Sequence, residues 1–578
     1  MLKESLKAKF LSVPRYLDVF ILAIFTVLIT LHPHFVHGKI NIFETGLYLP
    51  GIQSVLDGEI PFRDFFHLRG PFELYMPAFL MNIFGTHLAV LYSYFYFGNV
   101  LCLILCILIA KEIFKTRFVL YLMVPVLIGR AFPRVVFTYW GGMRYAFGLF
   151  ALWFIIKFFK ENKSRWMFGA GVVSALAGFT SVEMGVYPFL GVLAAMTVSK
   201  ILHVQDTRLI FKGLGAYFAG LGLVAIPYGT YLFFNGALIP YMDSVWTIVT
   251  RMQKVIDPHF VSVYPRNFPE AFVAMTNPGH TNFKHMTPSY LYIFILGYLI
   301  IRVRQRSFSR RDLMIICLGV YGFIMYNTGF RGIWAAQFEM ALQPEKILLF
   351  FLLEILLLIV IERKGKLKII LALKEQASLK WYDKNRWKIY GINFLLCGFL
   401  CSSLGYSIAR YNRRFFAFKF ARDKVLGKDT NYLKPLSNEE VRALRIERAK
   451  GIIVPVDQAD ELEQITGFMR NHVGEREEVF TYPDFGTYNF LSGRRGFGKY
   501  PLATFTWFND RWHEDFLIKF KASKPRYVIL QKEIPQNWKD VYLALEPNRK
   551  KFLDVMDIIA SDYKIKTETP LSYIYELK

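Results

Sequence analysis

Long apolar segments alternate with short polar ones through residues 1–410, and the pattern stops abruptly after that. Eleven segments read as membrane spans: 16–31, 86–110, 118–131, 145–159, 166–180, 184–199, 213–234, 290–301, 313–326, 347–361 and 389–408. Several are long enough to cross a hydrocarbon core of roughly 30 Å. Residues 367–373 leave room for another short helix, so the expected total is 11–13. The apolar run 74–84 is too short to cross and predicts a helix lying at the interface. From residue 411 the chain becomes polar, with strand-like runs at 451–455 (GIIVP), 478–482 (EVFTY) and 526–530 (RYVIL). Helix-like stretches at 457–470 and 510–521 lie between them. The expected fold is a multispanning α-helical membrane domain, 1–410, followed by a small soluble α/β or α+β domain, 411–578.

Composition agrees with that division. The 578 residues are 54% hydrophobic and 17% aromatic, too apolar for a soluble enzyme of this length. The net charge of +25 would suit nucleic acid, but there is no basic stripe interleaved with aromatics and no zinc spacing. Instead the cations occupy alternate loops: Lys111, Lys115 and Arg117; Lys157, Lys160, Lys163 and Arg165; Lys200, Arg208 and Lys212; Arg302 to Arg311; Arg363 to Lys388. Basic loops mark the cytoplasmic side. The N-terminus, MLKESLKAKFLSVPR, is then cytoplasmic, and no small-x-small cleavage site follows the first span. The same parity places 32–85, 130–144, 235–289, 327–346 and the C-terminal domain on the other face. All five cysteines fall in apolar segments and read as core residues, not as a disulfide framework.

The segment 32–85 carries the candidate chemistry. It is too polar for lipid and too aromatic for an idle loop. Glu44 opens a helix-like stretch, FETGLYLPGIQSVLDGE, soon after the first span; a carboxylate partly desolvated there gains basicity. Asp64 sits among aromatics in PFRDFF, next to Arg63, its local ion-pair partner. Arg69, held by the turn of HLRGPF, suits a phosphate through bidentate bonds. Arg134, Arg144 and Arg331 fall in other loops of this face, where orientation alone disfavours arginine; they point to an anion. Glu183 is either a turn carboxylate or a partner for one of these arginines. His32, His34 and His37 alternate as interfacial histidines do more often than metal ligands. The chain has no H-E-x-x-H, G-x-S-x-G, Walker loop or CxxC pair.

The order of these features resembles the GT-C superfamily of integral-membrane glycosyltransferases, which includes aminoarabinose transferases, protein mannosyltransferases and oligosaccharyltransferases. An early acid follows the first span. A proline turn preceded by a cation comes next, Arg69-Gly70-Pro71-Phe72 standing where many members have Lys-Pro-Pro-Leu. An aromatic interfacial run then ends in Phe-Gly. The family's paired acid is absent, Ile42 and Phe43 preceding Glu44, and so is the Trp-Trp-Asp-Tyr-Gly motif of oligosaccharyltransferases. The resemblance implies an enzyme that uses a polyprenyl-phosphate-linked sugar as donor and transfers it, with inversion, to a glycan, lipid or protein. Glu44 would be the base, with Asp64 as alternative or support, and Arg69, Arg144 and Arg331 would hold the donor phosphate, supported by Arg134 and Glu183. Relatives differ in their need for a divalent metal. The expected location is a bacterial inner membrane, N-terminus inside and C-terminal domain outside. Two other readings stand beside it. One is a transporter or flippase of lipid-linked sugar. The other is a glycan polymerase or ligase that works through the loop 235–289, with Arg251, Arg266 and His285.

Overall fold

The computed structural model describes residues 17–31, 40–131, 142–251, 288–329, 336–364 and, with short gaps, 440–578. His32, His34, His37, Arg134, Arg266, His285, Arg331, Cys397, Cys401 and the expected span 389–408 lie outside the described residues.

Among the described residues the membrane region forms the helices α1 Leu17–Thr30, α2 Ile42–Gly46, α3 Leu49–Leu56, α4 Phe72–Phe84, α5 Leu88–Ile113, α6 Arg117–Ala131, α7 Gly142–Glu161, α8 Ser164–Thr180, α9 Val182–Ile201, α10 Thr207–Phe234, α11 Leu238–Arg251, α12 Pro288–Arg304, α13 Arg310–Gly329, α14 Ala336–Ala341 and α15 Gln343–Lys364. Among the described residues, five helices (α5, α7, α9, α10 and α13) are long and apolar enough to cross a membrane. Helices α1, α4 and α6 are apolar but shorter. The protein is therefore an integral membrane protein. Prolines 125, 188 and 227 sit inside α6, α9 and α10, as membrane helices tolerate when neighbours satisfy the freed carbonyls.

Ion pairs fasten the loop end of this bundle that is rich in cations. Lys111 reaches Asp18 at 2.8 Å, Lys160 reaches Glu112 at 2.9 Å, and Arg311 pairs with the fully buried Glu354. These pairs tie α1 to α5, α5 to α7 and α13 to α15.

The stretch 43–59, which reads as one helix in sequence, is two. Pro50 stands in the first turn of α3 and has no N–H to bond the Gly46 carbonyl, so α2 does not run on into α3 and the chain turns at Leu47–Tyr48.

The C-terminal domain contains β1 Val441–Ala443, β2 Ile453–Pro455, α16 Val456–His472, β3 Glu478–Tyr482, α17 Thr487–Ser492, β4 Arg495–Gly496, α18 Asp510–Ser523, β5 Tyr527–Gln531, α19 Glu546–Asp562, β6 Tyr563–Glu568 and β7 Ser572–Leu577. Its main sheet runs in the order β4-β3-β5-β7-β6. Strand β3 is parallel to β4 and β5, while β7 is antiparallel to β5 and β6. Phe480, Phe516, Phe520, Val528, Val555 and Ile559 fill the core of one face.

Phe66 and Leu68, from the loop after α3, belong to that same core. The domain therefore grips the loop that carries the candidate chemistry. Phe66 N–H donates to the Lys499 carbonyl at 2.7 Å, and its ring lies 4.8 Å from that of Trp512. Gln458 pairs with both backbone groups of Ile40, each at 2.8 Å. The Thr487 hydroxyl donates to the Ile42 carbonyl at 2.7 Å and lies 3.0 Å from that of Thr45. Arg448 donates to Gln53 at 2.7 Å. The first loop and the soluble domain thus lie on one side of the bundle.

Candidate active site

Two close approaches build the site. At Gly70 a Cβ would stand 2.1 Å from the Phe179 carbonyl oxygen, so only glycine lets the loop bond to the end of α8, Gly70 N–H to Thr180 O at 3.0 Å. At Gly142 a Cβ would stand 2.2 Å from the Asn99 side chain, so the start of α7 presses directly on α5. The first contact holds the loop that bears Arg69 and Glu73 against α8, and the second holds the first turn of α7, which bears Arg144, against α5.

Arg144 is almost wholly buried. Its Nη1 lies 3.6 Å from Glu183 Oε1, its Nη2 donates to the Tyr145 hydroxyl at 3.1 Å, and its guanidinium lies 4.7 Å from the Tyr145 ring centre. Of the two roles open to Glu183, the geometry gives it the arginine partnership. Glu183 keeps 41% of its side chain accessible. Arg69 is half-buried, its Nε without a hydrogen bond among the described residues.

Glu73, which the sequence reading passed over, is the centre of this cluster. It is the second residue of α4 and is completely buried. Neither carboxyl oxygen has a hydrogen bond of normal geometry among the described residues. Burial pushes its pKa up to about 7, against the pull of Arg144, Arg69 and the Tyr48 hydroxyl. The only signal in sequence was a charge inside the apolar run FELYMPAFL, and an acid in a first helical turn ordinarily complements the helix dipole. His67, edge-on to Tyr48 at 6.0 Å, is also buried; burial and Arg69 bring its pKa down to about 3, so it is neutral.

The other carboxylates of the loop differ from Glu73. Asp64 accepts two bonds from Arg63, both at 2.8 Å, and one from Ile60 N–H at 2.8 Å. The Arg63 bonds hold its pKa down. A carboxylate so held braces its turn and is a poor proton acceptor. Glu44 lies in the middle of α2, the helix pinned by Thr487; its side chain lies outside the described residues.

An apolar groove of about 640 Å³ lies between α4 and α5. Met76, Leu80, Phe84, Phe97, Tyr94 and Met143 line it. Met76 is one helical turn beyond Glu73, Met143 adjoins Arg144, and Tyr94 lies within electrostatic reach of Glu73 and Tyr48. Among the described residues no three His, Cys, Asp or Glu side chains gather as a metal site.

No family model and no curated protein matches the chain. Solved structures give distant likenesses. The chain aligns with ArnT from Cupriavidus metallidurans bound to undecaprenyl phosphate at 9% identity and a TM-score of 0.49, covering 98% of each chain. The same protein in the apo state gives 10% identity and 0.49, covering 96% of each. An Archaeoglobus fulgidus oligosaccharyltransferase tethered to an acceptor peptide gives 11% identity and 0.44, covering 98% of this chain and 74% of that one.

Proposed function

We propose that the protein is a membrane glycosyltransferase of GT-C type. It moves a sugar from a polyprenyl-phosphate-linked donor to a glycan, lipid or protein acceptor at the non-cytoplasmic face. One observation supports the reading: Arg69, Arg144 and Glu183 gather around the buried Glu73, and an apolar groove between α4 and α5 opens one helical turn from Glu73, at Met76. The order of motifs in sequence, from Glu44 to Gly85, supports it independently.

In this reading the polyprenyl chain occupies the groove and its phosphate meets Arg69 and Arg144. The acceptor oxygen attacks the anomeric carbon from the face opposite the phosphate, the sugar–phosphate bond breaks, and configuration inverts. The acceptor proton passes to Glu44, and polyprenyl phosphate leaves with the bonding electron pair. The arginines stabilise charge that grows on the leaving oxygen, where a desolvated donor counts most. Asp64 holds the shape of the loop through Arg63 and Ile60. Arg134 and Arg331 remain further candidates for the same phosphate.

The test is a deletion strain complemented with wild-type protein or Glu44→Gln. Loss of the protein should remove one sugar from a surface glycan, lipid or protein and raise the pool of one polyprenyl-phosphate sugar. The Gln variant should insert normally yet fail to restore either. Unchanged glycans together with unchanged lipid-linked sugars would refute the assignment, and full complementation by Glu44→Gln would remove Glu44 as base.

A further inference from the structure

Helix α11 starts four residues after α10 ends, the chain having turned at Asn235–Ala237. It has 14 residues, about 21 Å at 1.5 Å each, too short to re-cross a bilayer. Its two faces differ sharply. Ile239, Met242, Trp246 and Val249 follow helical spacing along one stripe and are 57–79% exposed. The opposite face is occupied. Asp243 pairs with Arg511, Asn509 donates to Thr247 at 3.3 Å, Ile248 packs on the core of the C-terminal domain, and the Tyr241 ring lies 5.0 Å from that of Phe62.

We propose that α11 is a membrane-surface anchor. Its apolar stripe sits in the boundary between headgroups and acyl chains, and its other face docks the soluble domain and the first loop against the bilayer. The occupant follows from continuity. Helix α10 is the most outward-facing of the five spans, and Phe233 and Phe234 at its end are 67% and 80% exposed. The lipid-facing surface of α10 therefore runs directly onto the stripe of α11. Tryptophan among aliphatic residues suits that depth, the indole N–H meeting headgroups while the ring meets chains. A second copy of the chain is a poorer occupant: four side chains fall far short of the roughly 800 Å² per partner that a stable interface buries. The consequence is geometric. The soluble domain is held flush with the membrane, so an acceptor must approach along the headgroup plane.

The test is photo-cross-linking in native membranes, with Trp246 or Met242 replaced by p-benzoylphenylalanine. Phe218, exposed within α10, is the lipid-facing reference, and Lys564, exposed on β6, is the soluble one. Phospholipid adducts at 246 and 242 should approach those at 218 and exceed those at 564 at least fivefold. Adducts instead joined to peptides of residues 252–287, or to a second copy, overturn the proposal. So do yields at both positions equal to 564 while 218 labels normally.

Discussion

Glu73 is the group whose behaviour departs most from what its sequence position suggests, and replacing it with glutamine gives a signed prediction. A carboxyl moved from 4.5 to about 7 by folding binds its proton more tightly in the folded state than in the unfolded one. Its contribution to stability is fully present below pH 4.5 and is lost as the pH rises through about 7. At about 1.4 kcal/mol per pK unit, the loss by pH 8 is about 3 kcal/mol. Glu73→Gln keeps the shape of the protonated acid and carries no charge at any pH. The variant should therefore match wild type near pH 5 and be the more stable protein at pH 8, although a buried polar group has been altered. The assay is thermal unfolding of both proteins in one detergent from pH 5 to 8, read as the difference between their Tm values. Asp484, whose pKa burial raises to about 6, cancels in that difference because both proteins carry it. Parallel Tm curves would refute the argument and mean that Glu73 is ionised in the folded protein, neutralised by Arg69 and Arg144.

Three further outcomes follow from the site. Arg144→Gln should lower kcat/KM for a polyprenyl-phosphate sugar about 10²-fold, the cost of losing one preorganised charge-assisted contact, and Arg144→Lys should recover only part because it lacks the bidentate fork; unchanged kinetics would exclude Arg144 from the phosphate site. Thr487→Val removes the bond to the Ile42 carbonyl and frees α2, so kcat should fall while donor KM stays constant, with about 1 kcal/mol lost in stability; a change confined to KM would count against a positioning role. Gly70→Ala drives a methyl into the Phe179 carbonyl and should displace Arg69, weakening donor binding in a protein that still inserts into the membrane; wild-type donor affinity would show that this close approach does not set the site.

The structure also bears on where the protein's chemistry is protected from water. Burial raises the Glu73 pKa to about 7 and lowers that of His67 to about 3, whereas the Arg63 bonds hold that of Asp64 down. Three titratable groups within ten residues thus respond to pH in three different ways. Solvation, not proximity in sequence, separates them.

Sequence alone determined the division into an apolar helical region and a polar α/β domain, because helix length, hydropathy and strand alternation are local properties of the chain. Strand β3 lies at 478–482, the strand-like run EVFTY, and the apolar run 74–84 falls within the 13-residue helix α4. Tertiary structure decided which charges meet. The partnership of Arg144 with Glu183, the burial of Glu73 beside Arg144, and the hold of Thr487 and Gln458 on the first loop all join residues that sequence keeps tens to hundreds of positions apart. Residue type sets what a carboxylate can do, but its pKa depends on the water removed around it. Only packing, through contacts such as that of Gly70 with α8, removes that water.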